Sequence, residues 1–183
     1  MTVKSGTHSI GPENGRLTIS TYKAGMGAKI GHDLVLEARR WSGTVEANPE
    51  NPSASSVEVT IDARSFEVVS ATGGVKALSD KDSADIRKNM DDKVLQTGKH
   101  PEITFRSTQV SPTAIQGDLT LVGNTQPVTL NLTVQEAAGG ATLTGRATVT
   151  QTKFGIKPFS AMMGALKVKD DVDLQVELTL PSA

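Results

Sequence analysis

Apolar and polar residues alternate with a period of two in several segments of this chain. In Val57–Asp62 the apolar side chains fall on every second residue, and Val128–Val134 repeats the pattern. Asp171–Leu180 is the longest instance. A period of two places successive side chains on opposite faces of a strand, so that one face packs on a core and the other faces water. These segments predict a mainly β protein.

Short turn signals separate the alternating segments. Gly123-Asn124 and Ala138–Gly140 supply the residue types that a chain reversal needs. Short connections favour antiparallel neighbours, and many strands at regular spacing are typical of a sandwich or a barrel, between which the pattern alone does not choose. The length of 183 residues fits one domain spanning 1–183.

One segment departs from the period of two. Within 79–96 the apolar residues Ile86, Met90 and Val94 lie four residues apart, with charged residues elsewhere. This spacing puts all three on one face of an amphipathic helix, which Thr97-Gly98 would end. We expect the apolar stripe of this helix to cover an apolar opening, such as the open end of a barrel.

Composition excludes several classes of function. The chain has no cysteine, which excludes disulfides, thiolate nucleophiles and cysteine-ligated metal sites. The formal net charge of -1 gives no reason to expect nucleic acid as a partner. A site built from several imidazoles would need nearly all of His8, His32 and His100, and we expect neither a metal nor a cofactor.

Hydropathy along the chain gives no sign of a membrane span. No stretch approaches the roughly 18 consecutive apolar residues that a transmembrane helix needs, so we expect no integral membrane segment. The first eight residues, 1–8, do not pair a basic start with an apolar stretch as an export signal does. The sequence therefore predicts a cytoplasmic location.

Five stretches of the chain carry a family resemblance through their order and spacing, although no single stretch is diagnostic. They are Trp41–Val45, Pro52–Asp62, His100–Thr108, Gly117–Leu130 and Lys153–Ile156. Together they resemble the YceI-like family of polyisoprenoid-binding proteins, and this resemblance extends over nearly the whole chain. The last stretch matches the late Phe-Gly motif of that family, and His32 matches its later histidine.

The resemblance implies a lipocalin-like antiparallel β-barrel of about eight strands, with one amphipathic helix near the barrel mouth. A barrel of that size can hold one small ligand. The family further implies an isoprenoid or other amphiphilic lipid in an apolar tunnel, no catalytic residues, and a homodimer. We therefore expect non-enzymatic binding or carriage of such a lipid. The candidate ligand-binding residues are His32, Leu34, Leu36, Trp41, Ile86, Met90, Phe105, Leu119, Phe154, Met162 and Met163.

Some of these candidates have a plain structural alternative. Trp41, Phe105 and Phe154 either line the tunnel or fill an ordinary core, because aromatic side chains dominate cores in general. Met162 and Met163 lie in Lys157–Leu166, an apolar segment without alternation. Methionine is common where a surface accepts varied apolar shapes, so we expect a loop or short helix at the entrance, with a packed loop as the alternative.

Two other functions stay open from the sequence. An enzyme acting on a small hydrophobic substrate would use His32 as its general base, since a carboxylate follows at Asp33. Adjacent residues on a strand point to opposite faces, which counts against that pairing. An interaction module with a fully packed interior is the other alternative, and a continuous cavity would separate it from a lipid-binding protein.

Overall fold

Strands make up most of the protein. The computed structural model describes residues 3–137 and 139–183, so Ala138 of the predicted turn lies outside the described residues, as do Met1 and Thr2. The strands are β1 Gly6–Ile10, β2 Gly15–Thr21, β3 Lys23–Ala24, β4 His32–Ala38, β5 Trp41–Ala47, β6 Ser56–Asp62, β7 Phe66–Gly73, β8 Glu102–Val110, β9 Ala114–Leu121, β10 Asn124–Ala137, β11 Gly140–Thr150, β12 Ser160–Ala161, β13 Leu166–Val168 and β14 Asp171–Pro181.

The main sheet is antiparallel and contains 11 strands in the order β1-β5-β6-β8-β9-β10-β11-β14-β2-β4-β7. The mainly β, antiparallel prediction is confirmed, whereas the expected count of about eight strands is wrong. The extra strands arise at three short bends, at 11–14, 39–40 and 63–65, which split consecutive strands. Each bent segment pairs along both of its halves with the next bent segment. The pairs are β1 with β5 and β2 with β4, and then β5 with β6 and β4 with β7.

The main sheet is curled. The strands β1 and β14 stand first and eighth in its order. The N-terminal segment nevertheless reaches the end of β14, where Val3 forms a bridge with Ser182 and the Lys4 amide donates to the Pro181 carbonyl at 2.9 Å. The sheet therefore surrounds an interior, into which every second residue of its strands points.

Burial along the inward rows shows where this interior is dense. On β6 the inward residue Ile61 is buried, but Val57 and Val59 are only half-buried. On β14 Leu174 and Val176 are half-buried as well. Inward apolar residues of a close-packed core would be almost wholly buried. Part of the interior is therefore not filled by the side chains that face it.

The described residues contain one α-helix, α1 Asp80–Asn89, which continues into a π-helical turn, Met90–Val94, and confirms the predicted helix. Ser79 caps it: its hydroxyl accepts from the Asp82 amide while the Asp82 carboxylate accepts from the Ser79 amide. This capping box satisfies amides that a helix start otherwise leaves without partners. The apolar stripe, Ile86 included, is only half-buried, which fits a helix that faces space rather than a packed core.

A second, three-stranded sheet has the order β12-β13-β3. It contains part of the methionine-rich segment that we expected to be a loop or a short helix. Between β12 and β13 the chain forms a 3-10 turn, Met162–Gly164, so the segment is a turn flanked by two short strands.

We predict that Ser79→Ala loosens α1 without unfolding the sheet. Loss of an N-cap serine destabilises a helix by about 1 kcal/mol, which is a factor of about five in local opening. Hydrogen exchange of the α1 amides should therefore accelerate about fivefold, while the amides of β14 keep their rates. Ser53→Ala, in an exposed turn remote in sequence from the helix, is the control and should leave α1 unchanged. Unaltered exchange in Ser79→Ala would contradict the assigned role of the cap.

Candidate functional site

The curled sheet encloses a cavity of about 440 Å³, here named the large cavity. Its walls are almost entirely aliphatic and come from the inward faces of β5, β6, β8, β9, β10, β11 and β14. Ligand sites of this kind usually measure about 300–1,000 Å³ and are mainly apolar. Two outward depressions of about 600 and 620 Å³ have charged walls that include Arg146, Asp173, Arg39 and Arg40, and they are open to solvent.

Two smaller cavities continue the large cavity toward α1. The central cavity, of about 130 Å³, shares the wall residues Leu17, Leu119 and Leu174 with the large cavity. The helix-side cavity, of about 240 Å³, shares Leu36 and Met90 with the central cavity. The three cavities therefore form a row in which each neighbouring pair is separated by side chains common to both.

The inward residues of β14 show the length of this row. Val172 lines the central cavity, Leu174 lines both the central and the large cavity, and Leu180 lines the large cavity. At about 3.3 Å per residue along a strand, the distance from Val172 to Leu180 is about 26 Å. The row is therefore long and narrow, which suits a chain-like apolar molecule better than a compact one.

Polar groups are concentrated at the helix-side cavity. Its lining includes Lys23, Lys167, His32 and Gln151, and no acidic residue is among its described lining residues. The Lys23 Nζ donates to the Gly31 carbonyl at 3.1 Å, and the Gln151 Nε2 donates to the Lys169 carbonyl at 2.9 Å. This end of the row can therefore accept a polar or anionic group.

The opposite end of the row also has polar borders. Asn48, Ser111 and Glu136 border the large cavity there, next to Pro49 and Pro112. The long apolar stretch thus lies between two polar ends, and positive charge is found at the helix-side end.

His32 lies at the helix-side cavity, and no carboxylate of the described residues is its hydrogen-bond partner. Its Nε2 donates to the Lys76 carbonyl at 2.8 Å, because a carbonyl oxygen can only accept. The Asp33 Oδ1 accepts instead from the Lys23 amide at 2.8 Å. The two neighbours therefore have separate partners, as alternation along β4 predicts, and they do not form an acid–base pair.

Seven of the eleven candidate residues line the row of cavities. Leu36 and Met90 border two cavities each, and Leu119 borders both the central and the large cavity. Phe105 lines the large cavity with its ring against Gly117, where a Cβ atom would lie 2.4 Å from the ring. The other three, which line the helix-side cavity, are His32, Leu34 and Ile86. Contact of these residues with a ligand stays a prediction.

The other four candidates lie outside the cavity walls. Phe154 is 2% exposed within a 3-10 turn, and its carbonyl accepts from the Asn124 side chain at 2.8 Å. Trp41 is buried at a bend of the sheet, where its ring contacts the position of Gly15. Both aromatic residues therefore fill the core. Met162 and Met163 project into solvent instead of lining the interior.

Sequence reasoning missed several residues of the site. Lys23 and Lys167 line the helix-side cavity, but they belong to the short strands β3 and β13, which show no alternation. Gly145 lines the large cavity, and a Cβ there would meet Leu130 at an ordinary contact distance of 3.6 Å. Val176 and Leu174 could have been found, because they belong to the longest alternating segment.

Within residues 3–137 and 139–183, no group of three or more His, Asp or Glu side chains is arranged to hold a metal ion. The helices of this part of the chain are also too short and too polar to cross a bilayer.

Comparison with known sequences gives one family and several relatives. A family model described as a YceI-like domain matches residues 10–180. A UPF0312 protein of Pseudomonas paraeruginosa is 34% identical over 127 residues, which is 64% of this chain and 60% of that protein. Protein YceI of Escherichia coli is 37% identical over 94 residues, which is 49% of this chain and 43% of that protein. The chain thus matches less than two thirds of the length of either relative.

Solved structures resemble the whole fold. BcnA of Burkholderia cenocepacia has a TM-score of 0.68 at 19% identity, covering 90% of this chain and 95% of that chain. A polyisoprenoid-binding domain from Saccharophagus degradans, implicated in plant cell wall breakdown, has a TM-score of 0.61 at 11% identity. That match covers 98% of this chain and 100% of the other. At these identities the likeness shows the fold alone.

Asp91 is an unusual group beside the helix-side cavity, in the π-helical turn that also contains Met90. Its Oδ1 is buried without a hydrogen-bond partner in the described structure. Burial raises the pKa of the Asp91 carboxyl above its ordinary value, and the positive charge of Arg87 offsets part of that rise. A buried acceptor without a partner destabilises the native state. The folded protein therefore favours the protonated form of Asp91 more than the unfolded chain does.

We predict that Asp91→Asn raises the free energy of unfolding at pH 7. Because the folded pKa is the higher one, the wild type loses stability as pH rises from the unfolded value, near 3.8, to the folded value. The Asp91→Asn variant does not lose stability in this way. The difference in the free energy of unfolding between the variant and the wild type should therefore shrink as the pH falls below the unfolded pKa of Asp91. Urea denaturation at pH 7 and pH 3 measures the difference. Asp80→Asn, at an exposed position, should give no gain at pH 7, and an equal gain there would contradict the assignment.

Proposed function

The chain belongs to the YceI-like domain family, and from that premise we propose that it binds a long-chain isoprenoid or a similar amphiphilic lipid inside its curled sheet. The ligand's apolar chain occupies the large and central cavities, and its polar head lies in the helix-side cavity. Binding involves no chemical step. The observation that carries the proposal is the row of apolar cavities between the helix and the far end of the sheet.

Burial of the apolar chain supplies the affinity. Each CH₂ group removed from water contributes about 0.8 kcal/mol. A chain of roughly twenty carbons gains on the order of 16 kcal/mol before costs, against an association cost of about 4–15 kcal/mol. Useful affinity therefore needs no specific polar contact. Length and shape decide which lipid fits.

The charge distribution orients the ligand. Lys23 and Lys167 line the helix-side cavity, whereas the middle of the row is aliphatic. A lipid with an anionic or hydrogen-bonding head is therefore most stable with that head next to α1. The Saccharophagus degradans protein of the same fold is named as a polyisoprenoid-binding domain, which supports an isoprenoid over a straight acyl chain.

We predict that the protein binds one molecule of geranylgeraniol, a twenty-carbon isoprenoid alcohol. Native mass spectrometry of protein incubated with this probe should show a single one-to-one adduct. Palmitate, which has a straight chain, is the comparison and should bind more weakly than the isoprenoid. A protein that shows only its unliganded mass with both probes would contradict the proposal.

We further predict that Gly145→Leu blocks the large cavity. Gly145 has a negative φ, and its Cβ position meets only Leu130, so a larger side chain can be built into the free space. Four side-chain carbons displace about four ligand carbons, which lowers affinity by about 3 kcal/mol, or roughly 100-fold. Fluorescence competition with geranylgeraniol measures this change.

The matched control for Gly145→Leu is Thr133→Leu, which adds a leucine on the exposed outer face of β10. It should bind the probe as the wild type does, and both variants should keep the wild-type circular dichroism spectrum. Equal affinity in Gly145→Leu and the wild type would place the ligand outside the large cavity.

A further inference from the structure

Exposed methionines lie beside the helix-side cavity. Met26 is 96% exposed, Met162 is 61% exposed and Met163 is fully exposed. Ile30, which lines the helix-side cavity, is also exposed. Large apolar side chains exposed together are unusual in a soluble protein and mark interaction surfaces. We name these four residues the methionine rim.

The rim is built from two loops that pack on each other. The Gly27 amide donates to the Ala165 carbonyl at 2.7 Å, which joins the loop of Met26 to the loop of Met163. Gly25 has a φ of +89°, and a Cβ there would lie 2.4 Å from the same carbonyl, so only glycine allows this approach. Pairing of β3 with β13 continues the contact. The methionines of both loops therefore belong to one surface.

The backbone holds two of these methionines in a costly conformation. Met162 and Met163 have φ values of 52° and 57°, in the left-handed region that bulky side chains rarely adopt. Such strain persists only where the surrounding structure imposes it, and it is concentrated at functional sites. Here it gives both side chains an outward position in which they contact little of the protein.

Positive charge accompanies the exposed methionines. The segments 22–31 and 157–169 contain five lysines and no acidic residue, although the whole chain has a net charge of -1. Lys29 is exposed within the first segment, between Met26 and Ile30 in sequence. The side chain of Lys167 lies against the methionine turn, with its Cε 3.4 Å from the Cβ position of Gly164. The rim is therefore both apolar and basic.

We propose that the methionine rim docks on the surface of an anionic lipid bilayer. The inference rests on the proposed function, because docking places the helix-side cavity against the membrane from which an apolar ligand enters or to which it returns. Methionine side chains enter the headgroup region, as the apolar residues of interfacial segments do. The lysines are attracted to anionic headgroups, with each worth about fivefold in binding.

Charge and location together favour a bilayer over other occupants. Charge complementarity requires an acidic partner, and flexible methionines adapt to a disordered lipid surface. Ile30 of the methionine rim lines the helix-side cavity, and so does Lys167, which lies against the turn of Met162 and Met163. A ligand can therefore pass between bilayer and cavity along one apolar surface, without exposing its chain to water.

Vesicle flotation tests the proposal. Wild-type protein should bind vesicles of three parts phosphatidylcholine to one part phosphatidylglycerol, and bind vesicles of phosphatidylcholine alone at least tenfold more weakly. Binding to the anionic vesicles should fall in 0.5 M NaCl, because salt screens surface charge. Wild-type protein that does not bind anionic vesicles would overturn the proposal.

Variants separate the apolar and charged contributions. M162N/M163N removes both methionines with a residue that tolerates the left-handed conformation, and Lys29→Glu reverses one charge; each should weaken vesicle binding at least tenfold. Lys4→Glu makes the same charge change next to Pro181, at the other end of the fold, and should have little effect. Vesicle binding that is equal in all three variants and the wild type would overturn the proposal.

Two further measurements distinguish the outcomes. Geranylgeraniol binding in vesicle-free buffer should be unchanged in M162N/M163N. A variant that loses only vesicle binding has then lost the membrane contact of the rim and not the ligand site. If wild-type protein does not bind geranylgeraniol, the proposed function is overturned. The vesicle experiment still shows in that case whether the methionine rim binds an anionic bilayer. Sedimentation velocity tests whether a second copy of the chain occupies the rim instead. If the wild type is a dimer and M162N/M163N is a monomer, the rim is a contact between copies and the membrane proposal is overturned.

Discussion

The structure depends on a mismatch between the space that the curled sheet encloses and the side chains available to fill it. Aromatic residues make up only 3% of the chain, and two of the four phenylalanines, Phe66 and Phe154, are buried outside the large cavity. The inward rows of β6 and β14 are valine, isoleucine and leucine, and so is the inward row of β10 from Val128 to Val134; these side chains do not fill the interior. A close-packed core would remove such voids. The row of separate cavities therefore follows from small inward side chains on a curled sheet.

The apolar side of the helix covers one end of that row. The stripe of α1 covers the helix-side cavity and stays half-buried because it faces space, while a capping box and backbone hydrogen bonds fix its ends. The π-helical turn places Met90 over the cavities and leaves a buried carboxylate oxygen of Asp91 without a partner. Irregular helical turns and unsatisfied polar groups are frequent where a protein binds something. One buried polar atom without a partner therefore lies at this end of the row, whereas the other among the described residues, the Trp41 Nε1, lies at a bend of the sheet.

The sequence predicts those parts of this fold that depend on periodicity. Alternation in Val57–Asp62 and Asp171–Leu180 identifies strands and their inward residues, and four-residue spacing identifies the helix with Ile86 and Met90. The bends that raise the strand count to 11 escape prediction. At the bend at 39–40 the inward positions change from even numbers, Leu36 and Ala38, to odd numbers, beginning at Trp41, within two residues. Trp41 lies in an alternating segment, but the bend beside it moves its ring into the core. The outward methionines depend on a left-handed backbone that only the packing of two loops imposes.

The central claim is that the interior of the sheet receives one apolar chain along its length. Nuclear magnetic resonance of methyl-labelled protein bound to geranylgeraniol tests it most directly, because nuclear Overhauser effects report contacts within a few ångströms. We expect such effects from the ligand to the inward methyl groups of Leu119, Leu174 and Val176 and to Met90, all in one complex. Effects that are confined to exposed residues such as Val75, with none to the three inward residues, would contradict it.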